Sequence, residues 1–213
     1  MKITEKHLLL YAVTDRQWLK NGESLADAVE AVLKGGATCI QLREKNSDDK
    51  EFLALAKSLK PICQKYNVPF IINDNVAVAK SVDADGVHIG QDDMTISQAR
   101  AILGPDKIIG TSAHNVAEAM KAVADKADYI GCGAVFGSGT KTDASYLGVD
   151  GLKAICDVCL LPVVAIGGID SNNIHLLRHS GVDGVALVSA LFAPPDKTKA
   201  TADILAMAKE ITE

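Results

Sequence analysis

The chain has 213 residues, 48% of them apolar and 23% charged, a make-up that excludes a disordered or low-complexity protein. Twenty-two Lys and Arg stand against 27 Asp and Glu, a formal charge of −5, so there is no bulk attraction to nucleic acid or to an acidic membrane. With 4 Phe, 4 Tyr and 1 Trp there is no aromatic platform for bases, and any phosphate recognition must be local, in a pocket of a few residues.

The first apolar run, 8–13, is too short for a signal peptide core and is ended by Thr14 and Asp15. No stretch approaches the ~20 apolar residues that span a bilayer, so a cytoplasmic protein with no membrane partner is expected. Cys156 and Cys159 form a lone CxxC with no second CxxC, and His175 and His179, spaced i and i+4 further on, read as surface residues. That pattern favours packing over zinc.

Further runs rich in β-branched and small residues follow at 38–42, 70–72, 86–89, 107–111, 128–132, 163–166 and 184–188. They are continuous rather than alternating, as strands covered on both faces are. Between them lie amphipathic stretches with capping residues. Ser24 precedes 25–34, Ser47 with Asp48 and Asp49 precedes 51–59, Asn115 precedes 116–126, Asp150 precedes 151–157 and Ser171 precedes 172–179. The helix after the fourth run starts at Thr95 or Ser97, and Pro61 is expected to kink or shorten the second helix. Eight strand–helix units in this length predict an α/β fold, a (β/α)8 TIM barrel over 1–213 in a single domain. A doubly wound sheet would carry a Gly-x-Gly-x-x-Gly after the first strand, where this chain has Thr14-Asp15-Arg16-Gln17-Trp18.

In such a barrel the chemistry lies at the carboxyl ends of the strands. After strand two come Gln41, Leu42, Arg43, Glu44 and Lys45. Alternation sends Gln41, Arg43 and Lys45 to one side, where two cations and an amide could bind a multiply charged anion. The same residues could equally be a solvated loop onset with an Arg–Glu pair. Strand three ends in Asn73-Asp74, and strand four leads to Asp93. Carboxylates on adjacent strands can share one magnesium ion, and each could instead cap a helix. Ser112 ends strand five as a hydrogen-bond donor, with no Gly-x-Ser-x-Gly elbow to make it a hydrolase nucleophile. After strand six, Ser138, Gly139, Thr140 and Lys141 offer hydroxyls, backbone donors and a cation suited to phosphate, without the spacing of a Walker A loop. Gly168 after strand seven, and Val188 and Ser189 after strand eight, lie where barrels often hold a substrate phosphate.

Taken in order, these blocks resemble the thiamine phosphate synthase (thiamine-phosphate pyrophosphorylase) family, from Tyr11-Ala12-Val13-Thr14-Asp15 to Val188-Ser189. The most specific are Gln41-Leu42-Arg43-Glu44-Lys45, the segment from Asp85 to Asp93, and Ser138-Gly139-Thr140-Lys141. The resemblance implies a (β/α)8 barrel that condenses 4-amino-5-hydroxymethyl-2-methylpyrimidine pyrophosphate with thiazole phosphate. The products would be thiamine phosphate and pyrophosphate. It implies a pyrimidine pyrophosphate site spanning 41–45 with Asn73, Ser112 and Lys141, in which Arg43, Lys141 and Ser112 serve catalysis. It further implies one Mg2+ per subunit on Asp74 and Asp93, and thiazole phosphate on Ser138, Gly139, Thr140, Gly168, Val188 and Ser189. The partners implied are two small phosphorylated substrates, with room for a homo-oligomer. The family commonly has prolines at Ala134 and near Gly137, and often Thr where this chain has Ser138. The competing readings are a thiazole tautomerase-like paralogue and a non-catalytic phosphate-binding barrel.

Overall fold

The computed structural model describes residues 2–20, 22–45, 47–137 and 146–212. Eight strands pair in chain order, all parallel, and the eighth returns to the first to close a barrel. They are β1 Leu10–Val13, β2 Cys39–Leu42, β3 Phe70–Asn73, β4 Gly86–Ile89, β5 Ile108–Ala113, β6 Tyr129–Cys132, β7 Val163–Ile166 and β8 Gly184–Leu187. The pairing of β1 with β8 excludes the open doubly wound sheet. Leu8, expected in the first strand, ends a one-turn helix, α1 Glu5–Leu8, and is fully buried within the barrel.

Around the barrel run α2 Leu25–Lys34, α3 Asp49–Lys65, α4 Val76–Ser81, α5 Ile96–Leu103, α6 Val116–Ala124 and α7 Gly148–Cys156. After β8 come α8 Ser189–Phe192 and α9 Lys197–Thr212. The expected caps form: Ser24, Asp48, Thr95 and Asn115 each accept a backbone N–H from the first turn. Among the described residues no helix is long and apolar enough to cross a membrane.

Three expectations are corrected. Pro61 lies inside α3, which runs on to Lys65. Pro61 and Lys57, whose carbonyl loses its donor, are both exposed, while Phe52, Ala56, Leu59 and Cys63 anchor the buried side across the proline. The crossover between β7 and β8 is only a 3-10 turn, Ile174–Leu177, in place of a helix over 172–179. There Asp170 accepts the Asn172 N–H at 2.7 Å and Asn173 accepts the Asp170 N–H at 2.9 Å, local bonds that compete with helix formation. Finally, α7 begins at Gly148, which places Asp150 in its first turn rather than at its cap.

A repeated clamp holds the amino-terminal rim. The residue before each even strand accepts, through its side chain, a backbone N–H at the start of the preceding odd strand. Thr38 takes Leu10 at 2.9 Å, Asp85 takes Phe70 at 2.9 Å, Asp128 takes Ile109 at 2.7 Å and Asp183 takes Val163 at 2.7 Å. Each clamping residue returns its own N–H to the same partner's carbonyl, so every bond is reciprocal. Burial is the main cause that pushes the Asp183 carboxyl above the ordinary carboxylate range, with the Val163 N–H pulling it back. The folded state therefore binds that proton more tightly than the unfolded chain. Stability should fall as pH rises from the ordinary carboxylate pKa through the folded one. Asp183→Asn keeps the acceptor and removes this loss, so denaturant midpoints between about pH 3 and 7 should show the variant gaining on the parent as pH rises. Asp183→Ala should instead lose about 1–3 kcal/mol through the orphaned Val163 N–H.

Candidate active site

The inward residues of short strands divide the barrel interior into two storeys. Leu8, Tyr11, Cys39, Ile71, Ile108, Tyr129, Val164 and Ala186 pack together as an apolar floor. Above it a cleft opens at the carboxyl ends of the strands, with about 1080 Å³ of atom-free space, part of it continuous with solvent. Every strand contributes to its wall. The side formed by β2 to β5 is polar, with Gln41, Arg43, Asn73, His88 and Ser112. The side formed by β6 to β8 is small and apolar, with Gly131, Gly133, Gly167, Gly168 and Val188 leading to Ser189.

The glycines permit close approach of the backbone. A Cβ on Gly133 would stand 2.0 Å from the Ile166 carbonyl oxygen. Gly168 has φ +67°, and a Cβ there would meet the Gly137 carbonyl at 2.4 Å. Beyond the strands, Val135 donates to Ile166 and Phe136 to Gly167, so the β6 and β7 loops stay paired above the cleft.

Arg43 dominates the electrostatics. Its side chain is only 10% exposed, and its nearest carboxylate, Asp15, lies 3.9 Å from Nη1. Nη2 is buried without a hydrogen-bond partner among the described residues. A buried guanidinium nitrogen left without an acceptor is costly unless a ligand supplies one, and the cleft is where a ligand would sit. The Arg–Glu pair considered for this segment does not form at Arg43. Glu44 pairs instead with Arg16 at 2.8 Å and accepts from Ser47 at 2.9 Å.

Alternation accounts for the other residues of this strand end. Gln41 and Arg43 face the cleft, whereas Leu42 is buried in the outer core between barrel and helices. Neither Leu42 nor Glu44 is among the residues that line the cleft. Lys45 is exposed beyond the wall. Asn73, Ser112, Gly168, Val188 and Ser189 all line the cleft, and Ser138, Gly139, Thr140 and Lys141 lie outside the described residues.

Neither aspartate of the expected metal pair caps a helix. Asn75 caps α4 and Thr95 caps α5. Asp74 has φ +61° and accepts from the Asn73 amide at 2.5 Å, and Asp93 accepts the Gly90 N–H at 2.7 Å. Both are exposed beyond the ends of the neighbouring strands β3 and β4, and neither is among the residues that line the cleft. Exposed carboxylates are the hard oxygen donors that magnesium takes, with its other ligands from phosphate and water. Among the described residues no cluster of three or more His, Cys, Asp or Glu forms a further metal centre.

Tyr11, His88, His114 and Tyr129 also line the cleft, and the strand-end pattern did not single them out. A tyrosine inside an apolar run reads as one more hydrophobe. Only its alternation with inward Val13 or Gly131 marks it as facing the interior.

The family model described as thiamine monophosphate synthase matches residues 10–191. The chain belongs to this family. It is 48% identical over 184 residues to a thiamine-phosphate synthase of Caldanaerobacter subterraneus subsp. tengcongensis, covering 86% of each chain. It is 45% identical over 195 residues to that of Clostridium tetani, covering 92% of this chain and 93% of the relative. A solved thiamine phosphate pyrophosphorylase from Pyrococcus furiosus superposes with TM-score 0.90 at 39% identity, covering 98% of this chain and 99% of the other. The chain is thus an enzyme of a transferase family, a thiamine-phosphate synthase on a (β/α)8 barrel.

If the unpartnered Arg43 is the anion anchor, inorganic pyrophosphate followed by calorimetry should bind Arg43→Gln roughly 10- to 150-fold more weakly than the parent. That range corresponds to one lost hydrogen bond to a charged group. Equal binding would remove Arg43 from the anion site.

Proposed function

We propose that the polar side of the cleft holds the pyrimidine pyrophosphate and the glycine-rich side the thiazole phosphate, and that pyrophosphate departs before the thiazole nitrogen attacks. The observation that carries this reading is Nη2 of Arg43, buried with no hydrogen-bond partner among the described residues, on the polar side of a two-sided cleft. The segment Gln41, Leu42, Arg43, Glu44 and Lys45, with Asn73, Ser112 and Lys141, would hold the pyrimidine substrate. Ser138, Gly139, Thr140, Gly168, Val188 and Ser189 would hold the thiazole phosphate. Asp74 and Asp93 would hold one magnesium ion per subunit, which, when bound, supplies charge neutralisation for a pyrophosphate. A cytoplasmic place of work is part of the same proposal.

The bond changes balance without a protein nucleophile. The C–O bond between the pyrimidine methylene and pyrophosphate breaks, and its electron pair leaves with the phosphate oxygen toward Arg43 and Lys141. The aminopyrimidine ring delocalises the positive charge left on the methylene. The thiazole nitrogen then supplies the pair for the new C–N bond. The protein's share is positioning and fixed charge.

The direct test is pyrophosphate release when both substrates and magnesium are supplied; binding without release would leave only a phosphate sensor. Asp93→Asn keeps an acceptor for the Gly90 N–H, so the loop should hold while the magnesium needed for half-maximal rate rises. An unchanged magnesium dependence would remove Asp93 from the metal site. Lys141→Ala should cut turnover by on the order of 10²–10³ with a much smaller change in substrate affinity. An electron-withdrawing group on the pyrimidine should slow single turnovers strongly. A rate near that of the natural substrate, with chemistry limiting, would exclude the dissociative order.

A further inference from the structure

Five polar side chains cross the barrel interior in one continuous chain beneath the cleft. Gln41 Nε2 donates to Tyr11 Oη at 2.9 Å, and the Tyr11 and Tyr129 hydroxyls lie 2.7 Å apart. His88 Nδ1 lies 3.0 Å from Tyr129 Oη, and His88 Nε2 lies 3.1 Å from Ser112 Oγ. The chain begins and ends on residues assigned above to the pyrimidine, while its three middle members have no role in that assignment.

Proton counting gives this chain a direction. Each hydroxyl owns one proton, and burial holds both phenols well above their ordinary pKa, so they stay neutral. With the Gln41 amide donating to Tyr11, the Tyr11 proton goes to Tyr129 and the Tyr129 proton to His88 Nδ1. The imidazole is then the Nε2–H tautomer and donates to Ser112 Oγ. The Ser112 proton is left for the cleft, and Gln41 keeps Oε1 as an acceptor. In this order one end of the chain presents an acceptor to the cleft and the other a donor.

We propose that Tyr11, Tyr129 and His88 are positioning residues that lock Gln41 as acceptor and Ser112 as donor, so that the cleft selects a ring that carries an amino group on one side and a ring nitrogen acceptor on another. The inference rests on the pyrimidine assignment for its ligand, but the proton order is a property of the protein alone. Tyr129→Phe is the sharpest cut. It removes the central hydroxyl and keeps the ring, which occupies the space where a Cβ on Gly110 would stand 2.1 Å from Cζ.

Two measurements test it. A long-range 15N–1H spectrum of histidine-labelled protein near neutral pH, assigned by the signal lost in His88→Gln or shifted in Tyr129→Phe, should show His88 as the Nε2–H tautomer. An Nδ1–H tautomer or an imidazolium would overturn the proposed order, whatever the enzyme's substrates are. For selectivity, KM for the aminopyrimidine pyrophosphate is compared with KM for its analogue lacking the amino group. The parent should prefer the amino compound by about tenfold or more, the equivalent of a hydrogen bond, and Tyr129→Phe should lose most of that preference. Its KM for thiazole phosphate should stay within about twofold, a margin well below one hydrogen bond. A preference retained in Tyr129→Phe, or equal weakening of both substrates, would overturn the proposal. Absence of turnover in the parent would instead refute the pyrimidine assignment and leave the tautomer result standing.

Discussion

Tyr129 can lie across the barrel only because Gly110, its register partner on β5, has no side chain. Much of the interior follows from that concession. The ring packs tilted against Tyr11, with centroids 5.9 Å apart, and against His88, at 5.5 Å. These three rings separate the apolar floor from the open cleft. A small (β/α)8 barrel must fill itself with its own inward residues, and strands this short offer few of them each. Bulky phenols serve that purpose, but they bring hydroxyls that must be bonded once buried. The hydrogen-bonded chain under the cleft is the physical consequence, and it reaches the mouth at Gln41 and Ser112.

The two rims of the barrel use charge in opposite ways. At the amino-terminal rim Asp85, Asp128 and Asp183, with Thr38 in the same role, spend their oxygens on strand N–H groups. Asp128 also receives Arg100 at 2.7 Å. At the carboxyl rim Arg43 keeps a buried donor with no hydrogen-bond partner among the described residues, and Asp74 and Asp93 stand exposed beyond β3 and β4. Stability and ligand capture are thereby separated along the barrel axis. A chain with a net charge of −5 can attract an anion only through a local cation, and among the described residues that line the cleft Arg43 is the arginine that supplies one.

How much of this could be read from the sequence depends on how local each signal is. The strands were legible because residues buried on both faces form uninterrupted runs, and caps such as Ser24 and Asn115 announce themselves three residues before the N–H they bind. Gln41, Arg43, Asn73 and Ser112 were legible as polar residues at strand ends. Pro61 misled because its effect depends on which face of α3 meets solvent, a tertiary fact. The 3-10 turn at Ile174–Leu177 was hidden because Asp170 and Asn173 act on backbone groups of a segment that still looks helical by composition. The Tyr11–Tyr129 pair was hidden most completely: the two residues are 118 positions apart and are joined only by closure of the barrel.

The apolar side of the cleft bears on chemistry as well as on fit. A cation formed at a pyrimidine methylene would be captured by the first nucleophile it meets, so a dissociative enzyme needs walls without one. Around the boundary with β6 and β7 the inward positions are Gly131, Gly133, Ala134, Val164 and Ile166, none with a side-chain nucleophile. Cys132, the one thiol in that stretch, alternates outward into the core, and burial, the chief cause, raises its pKa, so it remains a neutral thiol. Ser112, on the polar side, is engaged by His88. Small residues on this side then do two things at once: they admit the second substrate closely, and they keep side-chain nucleophiles off the wall formed by β6 and β7.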